Sequence, residues 1–133
     1  MAQDYRDLVV WKKAIDLTAC VYRLTRTFPK EETYGLVSQL RRASVSVASN
    51  IAEGRGRLNN AEFRQFLGVA QGSIYELQTQ LFVAKRLEIA DSEAILEAHD
   101  LSDDVSKMLG SFIKTLSAPS KLTRSNMKLG ARS

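Results

Sequence analysis

The sequence predicts an all-α fold, an antiparallel up-and-down four-helix bundle, on three observations. Apolar residues recur at steps of three and four through four successive segments. Each segment runs to about 20 residues or more, roughly 30 Å at 1.5 Å rise per residue. The breaks between them, at Phe28-Pro29, Gly54 to Gly56 and the turn before Ser92, leave only short connections, which place consecutive helices side by side and antiparallel.

In the first segment Val10, Ala14, Leu17, Val21, Leu24 and Phe28 form one stripe, widened by Leu8, Trp11, Ile15 and Tyr22. Asp7 is the expected cap, and Phe28-Pro29 ends the helix because proline lacks a backbone donor and disfavours helical dihedrals in the residue before it. The second segment starts near Thr33 and carries Leu36, Leu40, Ala43, Val47 and Ile51, with Ser44, Ala48 and Ala52 beside them. Ser44-Val45-Ser46-Val47 alternates like a half-buried strand, but the run is short and its flanks keep the helical period. Gly54 and Gly56 supply the stop, and Asn59 with Glu62 reads as a capping box for the third helix.

That third segment places Phe63, Phe66, Ala70, Ile74, Leu77, Leu81 and Ala84 on a heptad, with Leu67 at its side. Gly68 and Gly72 each cost about 1 kcal/mol of helix propensity relative to alanine, so a close backbone crossing is expected there. The fourth segment begins near Asp91 or Ser92, carries Ala94, Ala98, Leu101, Val105, Met108 and Phe112 flanked by Ile95, Leu109, Ile113 and Leu116, and stops before Pro119. The apolar faces of the first and fourth helices are wider than one seam requires, which predicts a homo-oligomer.

A hydrophobic fraction of 44% and a charged fraction of 26% exclude disorder over most of the 133 residues. The net charge of +4 is unevenly spread: residues 1–86 carry 13 Lys/Arg against 8 Asp/Glu, and residues 87–117 carry 2 against 7. Residues 118–133 carry Lys121, Arg124, Lys128 and Arg132 with no acid. The expectation is therefore one bundle domain over residues 1–117 and a basic, disordered tail over 118–133. One cysteine, Cys20, and one histidine, His99, argue against a disulfide framework or a multi-ligand zinc site, so no cofactor or metal is expected. The N-terminus shows no basic region followed by an apolar run, and no stretch is apolar enough to span a membrane, so the expected compartment is the cytoplasm.

Several motifs carry a family resemblance. Leu8-Val9-Val10-Trp11-Lys12-Lys13-Ala14, Phe28-Pro29 and Glu31-Glu32-Thr33-Tyr34-Gly35-Leu36 open the pattern. Gln39-Leu40-Arg41-Arg42-Ala43, Ser49-Asn50-Ile51-Ala52-Glu53-Gly54, Phe66-Leu67, Ala70-Gln71-Gly72-Ser73 and Glu76-Leu77 continue it. In this order they resemble the four helix bundle proteins, also known as 23S rRNA intervening-sequence proteins, over roughly residues 5 to 117. The resemblance implies a bacterial four-helix bundle, sometimes encoded in insertions within ribosomal RNA genes, whose members can form pentameric barrels. It carries over no catalytic residue. A related branch, the accessory variability proteins of diversity-generating retroelements, uses a basic barrel surface to engage a reverse transcriptase and nucleic acid, which is an analogy for this chain.

Arg41, Arg42, Arg55 and Arg57 surround the small-residue core of the second helix and are the candidates for phosphate contact, since guanidinium geometry matches phosphate and an assembly would repeat them. The alternative is that they are solvated or paired with acids such as Glu53 or Glu76, because no aromatic residues for base stacking are interleaved with them. For Lys121, Arg124, Lys128 and Arg132 the choice is phosphate contact or simple solubility. Asn50 is expected to be partly buried and to fix register, alongside Gly68 and Gly72 as packing positions. Glu53-Gly54-Arg55-Gly56-Arg57 follows a helix and lacks the GK[ST] ending of a phosphate loop. Glu53 and Glu76 lack the partners of a di-metal bundle.

The functional expectation is a non-enzymatic oligomer, a pentamer by the resemblance, that binds RNA or DNA through a basic surface. The alternative is an interaction adaptor whose arginines hold an acidic protein partner. A hydrolase or transferase would need a pocket joining His99 to a serine and a carboxylate.

Overall fold

A computed structural model describes residues 4–117. Four helices pack as an antiparallel ring: α1 (Val9–Thr25), α2 (Ser38–Arg55), α3 (Asn60–Arg86) and α4 (Ser92–Ser117). Each neighbours the next, and α4 closes against α1. No strand occurs among the described residues, and Ser44 to Val47 lie inside α2. The expected basic tail, residues 118–133, lies outside the described residues.

The core follows the predicted stripes. Leu17, Val21, Leu40, Val47, Ile51, Leu67, Ile74, Leu77, Leu81, Val105 and Leu109 are fully buried and form one cluster, the main source of stability in a fold of this kind. On α4 the buried line is rotated slightly from the expected one: Ile95, Ala98, Ser102, Val105 and Leu109 face inward, while Leu101, Met108 and Phe112 are only half-buried. Ser102 is tolerated at 0% exposure because its hydroxyl donates to the His99 carbonyl and accepts from Gln78 Nε2.

Polar pairs between helices fix the register that apolar packing leaves loose. Thr18 donates to the Ser44 carbonyl at 3.1 Å and Arg41 Nε to Thr25 Oγ1 at 2.9 Å, tying α1 to α2. Ser46 and Ser73 hydroxyls pair at 2.9 Å between α2 and α3, and Gln71 exchanges two bonds with Ser106 between α3 and α4. Asn50 bonds within its own helix: its amide donates to Ser46 Oγ and to the Ser46 carbonyl one turn back, beside the serine that makes the crossing.

Three local expectations change. Asp7 does not cap α1; it lies in a separate helical turn, Tyr5–Asp7, which is capped by the Asp4 side chain, and Leu8 holds the N-cap position of α1 with no side-chain cap bond. Gly68 and Gly72 are exposed on the outer face of α3 with nothing within 4 Å of a notional Cβ, so no helix of the same chain crosses there. The close approach is at Gly54 instead, where a Cβ would stand 2.7 Å from Phe66 Cβ and 3.0 Å from Phe63 Cδ1. Gly54 therefore lies within α2 and lets the α2 C-terminus meet the start of α3, while Gly56 ends the helix.

At the other end of α3 the chain turns through Glu88, whose φ of 55° is left-handed. The Ile89 amide bonds to the Ala84 carbonyl and the Glu88 amide to that of Lys85, the double closure of a helix C-terminus that usually places glycine at this position. A glutamate there carries the Cβ strain that glycine avoids. Glu88→Gly is expected to raise stability by about 1 kcal/mol, read as a higher urea midpoint at unchanged slope.

Candidate functional site

The antiparallel ring gathers the N-termini of α1 and α3 and the C-termini of α2 and α4 at one end, and this is where part of the basic signature collects. Arg55 and Arg57 emerge from the end of α2, and Arg64 from the first turns of α3. The guanidinium of Arg57 lies 4.5 Å from the Phe66 ring centroid and that of Arg55 6.0 Å from Phe63. Arg64 reaches Ser117 Oγ at 3.5 Å, at the point where the described part of α4 stops. Phe63 in turn meets Phe112 edge-on at 5.2 Å, so an aromatic floor underlies Arg55 and Arg57. Stacking on rings holds a guanidinium flat while leaving its N–H edges outward for an acceptor.

Carboxylate partners are weak at this end. Arg57 and Glu53 stand 3.8 Å apart at an exposed site, a pair worth little in water. Among the described residues neither Arg55 nor Arg64 has a carboxylate within salt-bridge distance. Arg6 is the exception, for it holds Asp4 through two side-chain contacts of 2.8 and 3.0 Å, and these hydrogen bonds keep the Asp4 carboxyl at about 2.

Arg41 and Arg42 lie elsewhere. They sit near the start of α2, 14 and 13 residues before Arg55, which is about 20 Å along a helix. Arg41 is half-buried, bonded to Thr25 and stacked 4.5 Å from the Tyr22 ring, while exposed Arg42 donates to Ser38 Oγ at 3.5 Å. The four arginines thus form two pairs at opposite ends instead of one patch. Neither Arg41 nor Arg42 pairs with Glu53 or Glu76; Glu76 accepts from Gln80 Nε2. Aromatic residues absent between these arginines in sequence are brought beneath three of them by α1 and α3. Arg64 is the cation that sequence reasoning missed, since it lies outside the arginine-rich stretch and joins it only when α3 folds back on α2.

Other serines and Trp11 have structural surroundings. Ser44 donates to the Arg41 carbonyl, Ser46 and Ser73 hold each other, and Trp11 is half-buried edge-on to Tyr5 at 5.2 Å. Cys20 is buried, which pushes its thiol above the usual range. His99 lines a pocket of about 280 Å³ with Ser92, Glu93 and Lys85, over Leu81, Phe82, Ile95 and Leu96. Ser92 stands seven residues before His99 on the same helix, about 10 Å away along its axis, and no serine hydroxyl bonds to the imidazole among the described residues. Serine, base and carboxylate therefore line one pocket without the contacts of a catalytic relay.

Apolar surface is left over in two places. An open groove of about 610 Å³ between α1 and α4 is lined by Val9, Val10, Met108 and Phe112, as the sequence led us to expect. The outer face of α3, not anticipated, exposes Val69, Tyr75, Phe82 and Val83 beside Gly68 and Gly72. No described helix is long and apolar enough to cross a membrane.

The fold is similar to a crystal structure of a protein with unknown function from the S23 ribosomal protein family of Bacteroides thetaiotaomicron. The two share 24% identity with a TM-score of 0.74, over 80% of this chain and 99% of that one. No curated protein matches the chain. The 23S rRNA-intervening sequence protein family matches residues 6–111, spanning all of α1, α2 and α3 and most of α4. The chain is a member of the 23S rRNA-intervening sequence protein family.

Proposed function

We propose that this chain is a non-enzymatic, self-assembling bundle that binds RNA or DNA through the end where Arg55, Arg57 and Arg64 converge. The observation that carries this reading is their placement at one end of the bundle: Arg55 and Arg57 lie over Phe63 and Phe66, Arg64 stands on the neighbouring turn of α3, and among the described residues the carboxylate contact of the three is the exposed 3.8 Å pair of Arg57 with Glu53. Phosphate is the ligand such an array fits, because each N–H edge can take an oxygen and each contact releases a counterion. Lys121, Arg124, Lys128 and Arg132 follow Ser117 in sequence and add four cations with no acid among them.

Self-assembly is supported by the two apolar surfaces, the α1/α4 groove and the outer face of α3, which a lone protomer leaves in water. A pentamer would display the arginine cluster five times, turning several weak sites into one avid surface. Mass measurement of the native particle, with absorbance read for co-purifying nucleic acid, and gel retardation of RNA and DNA across a salt series test both halves. Retardation that fades with salt supports the reading, and its complete absence at low salt removes it. Capture of one stoichiometric protein without nucleic acid would favour the adaptor alternative, in which the same arginines grip an acidic segment.

A further inference from the structure

We infer that α4 carries a divalent-cation site built from His99, Asp100 and Asp103, distinct from the arginine end. One donor atom from each of the three side chains lies within 4.8 Å of the other two. Aspartates one and four residues beyond a single histidine complete a donor set that imidazole and thiol alone do not.

Two features separate this cluster from ordinary solvated acids. His99 Nδ1 and Asp103 Oδ2 stand 3.5 Å apart without forming a hydrogen bond. Two ligands each about 2.1 Å from one ion at a tetrahedral angle stand about 3.4 Å apart, so the gap suits a shared ion. The other Asp103 oxygen, Oδ1, accepts from Gln78 Nε2 at 2.8 Å, and the same amide reaches Ser102 Oγ at 3.0 Å. That bond from α3 holds the carboxylate with Oδ2 towards the imidazole, as outer partners orient metal-ligating carboxylates. The His99 ring is fixed in its turn by an edge contact to Phe82 at 5.0 Å.

A mixed nitrogen and oxygen set of this kind suits a first-row ion such as Zn²⁺, Mn²⁺ or Co²⁺ in preference to Ca²⁺. Three protein ligands leave a coordination position open. The position of the cluster on the acidic stretch of residues 87–117, with 2 Lys/Arg against 7 Asp/Glu, favours a cation there.

The test is titration of the full-length chain with Co²⁺, read by its visible ligand-field absorbance and by equilibrium dialysis, followed by competition with Zn²⁺. The expected result is one ion per chain, displaced by Zn²⁺. His99→Ala should abolish the absorbance, and Gln78→Ala should weaken affinity by about tenfold or more through the lost orientation of Asp103. Cys20→Ser should leave binding unchanged. Circular dichroism of each variant separates loss of ligand from loss of fold. No saturable binding in the millimolar range, or binding unaffected by His99→Ala, overturns the inference, whatever the outcome for nucleic acid.

Discussion

Gly54→Val is expected to destabilise the bundle by about 3 kcal/mol, although glycine inside a helix is normally a liability. Even the first carbon of a new side chain would fall 2.7 Å from Phe66 Cβ, an atom fixed to the α3 backbone that no rotamer change can move. The α2 end would have to swing away from α3, loosening Phe63 against Phe112 and the aromatic floor under Arg55 and Arg57. The contrast is with Gly68→Ala and Gly72→Ala. Both positions are open in the protomer, so each should add up to about 1 kcal/mol from helix propensity alone. If assembly seats a neighbouring helix on this outer stripe, those two substitutions will stabilise the protomer and weaken the oligomer together. Urea denaturation with native mass measurement on the same variants reads both.

The second large effect is expected from Leu77→Ala, at about 3 kcal/mol within the 2–5 kcal/mol typical of buried leucines. Leu77 is fully buried near the middle of α3, the central helix of the sequence, and cannot be replaced by neighbours already at close packing. Leu58, at 99% exposure in the α2–α3 turn, gives the matched control, and Leu58→Ala should change stability by no more than about 0.5 kcal/mol. Comparable losses at both positions would mean that the assignment of the interior is wrong.

Much of this fold is legible in sequence because one physical signal dominates. Stripes such as Leu40, Val47 and Ile51 or Ile74, Leu77 and Leu81 repeat at the helical period, and burial follows them. Roles that depend on a second element are less legible. Gly54 and Gly68 look alike in one dimension, yet only Gly54 faces another helix, and that depends on the angle at which α3 leaves the turn. The α2 arginines form a single run of signature residues in sequence, but 14 positions of helix separate Arg41 from Arg55 and a fold-back adds Arg64. The His99 cluster was hidden for a different reason. Aspartates on an exposed helix face read as solvation, and the bond from Gln78 on α3, together with the approach to His99, distinguishes Asp103.

The most direct measurement is the slope of log affinity against log salt for RNA and DNA, comparing the native full-length assembly with the Arg55→Ala, Arg57→Ala, Arg64→Ala triple variant. If these guanidinium groups contact phosphate, the slope should fall by up to about 2.7 per engaged chain for duplex DNA, with weaker binding at every salt concentration. Arg42→Ala, at the opposite end, should leave it nearly unchanged. A correctly folded triple variant with the parent's affinity and slope would contradict the account.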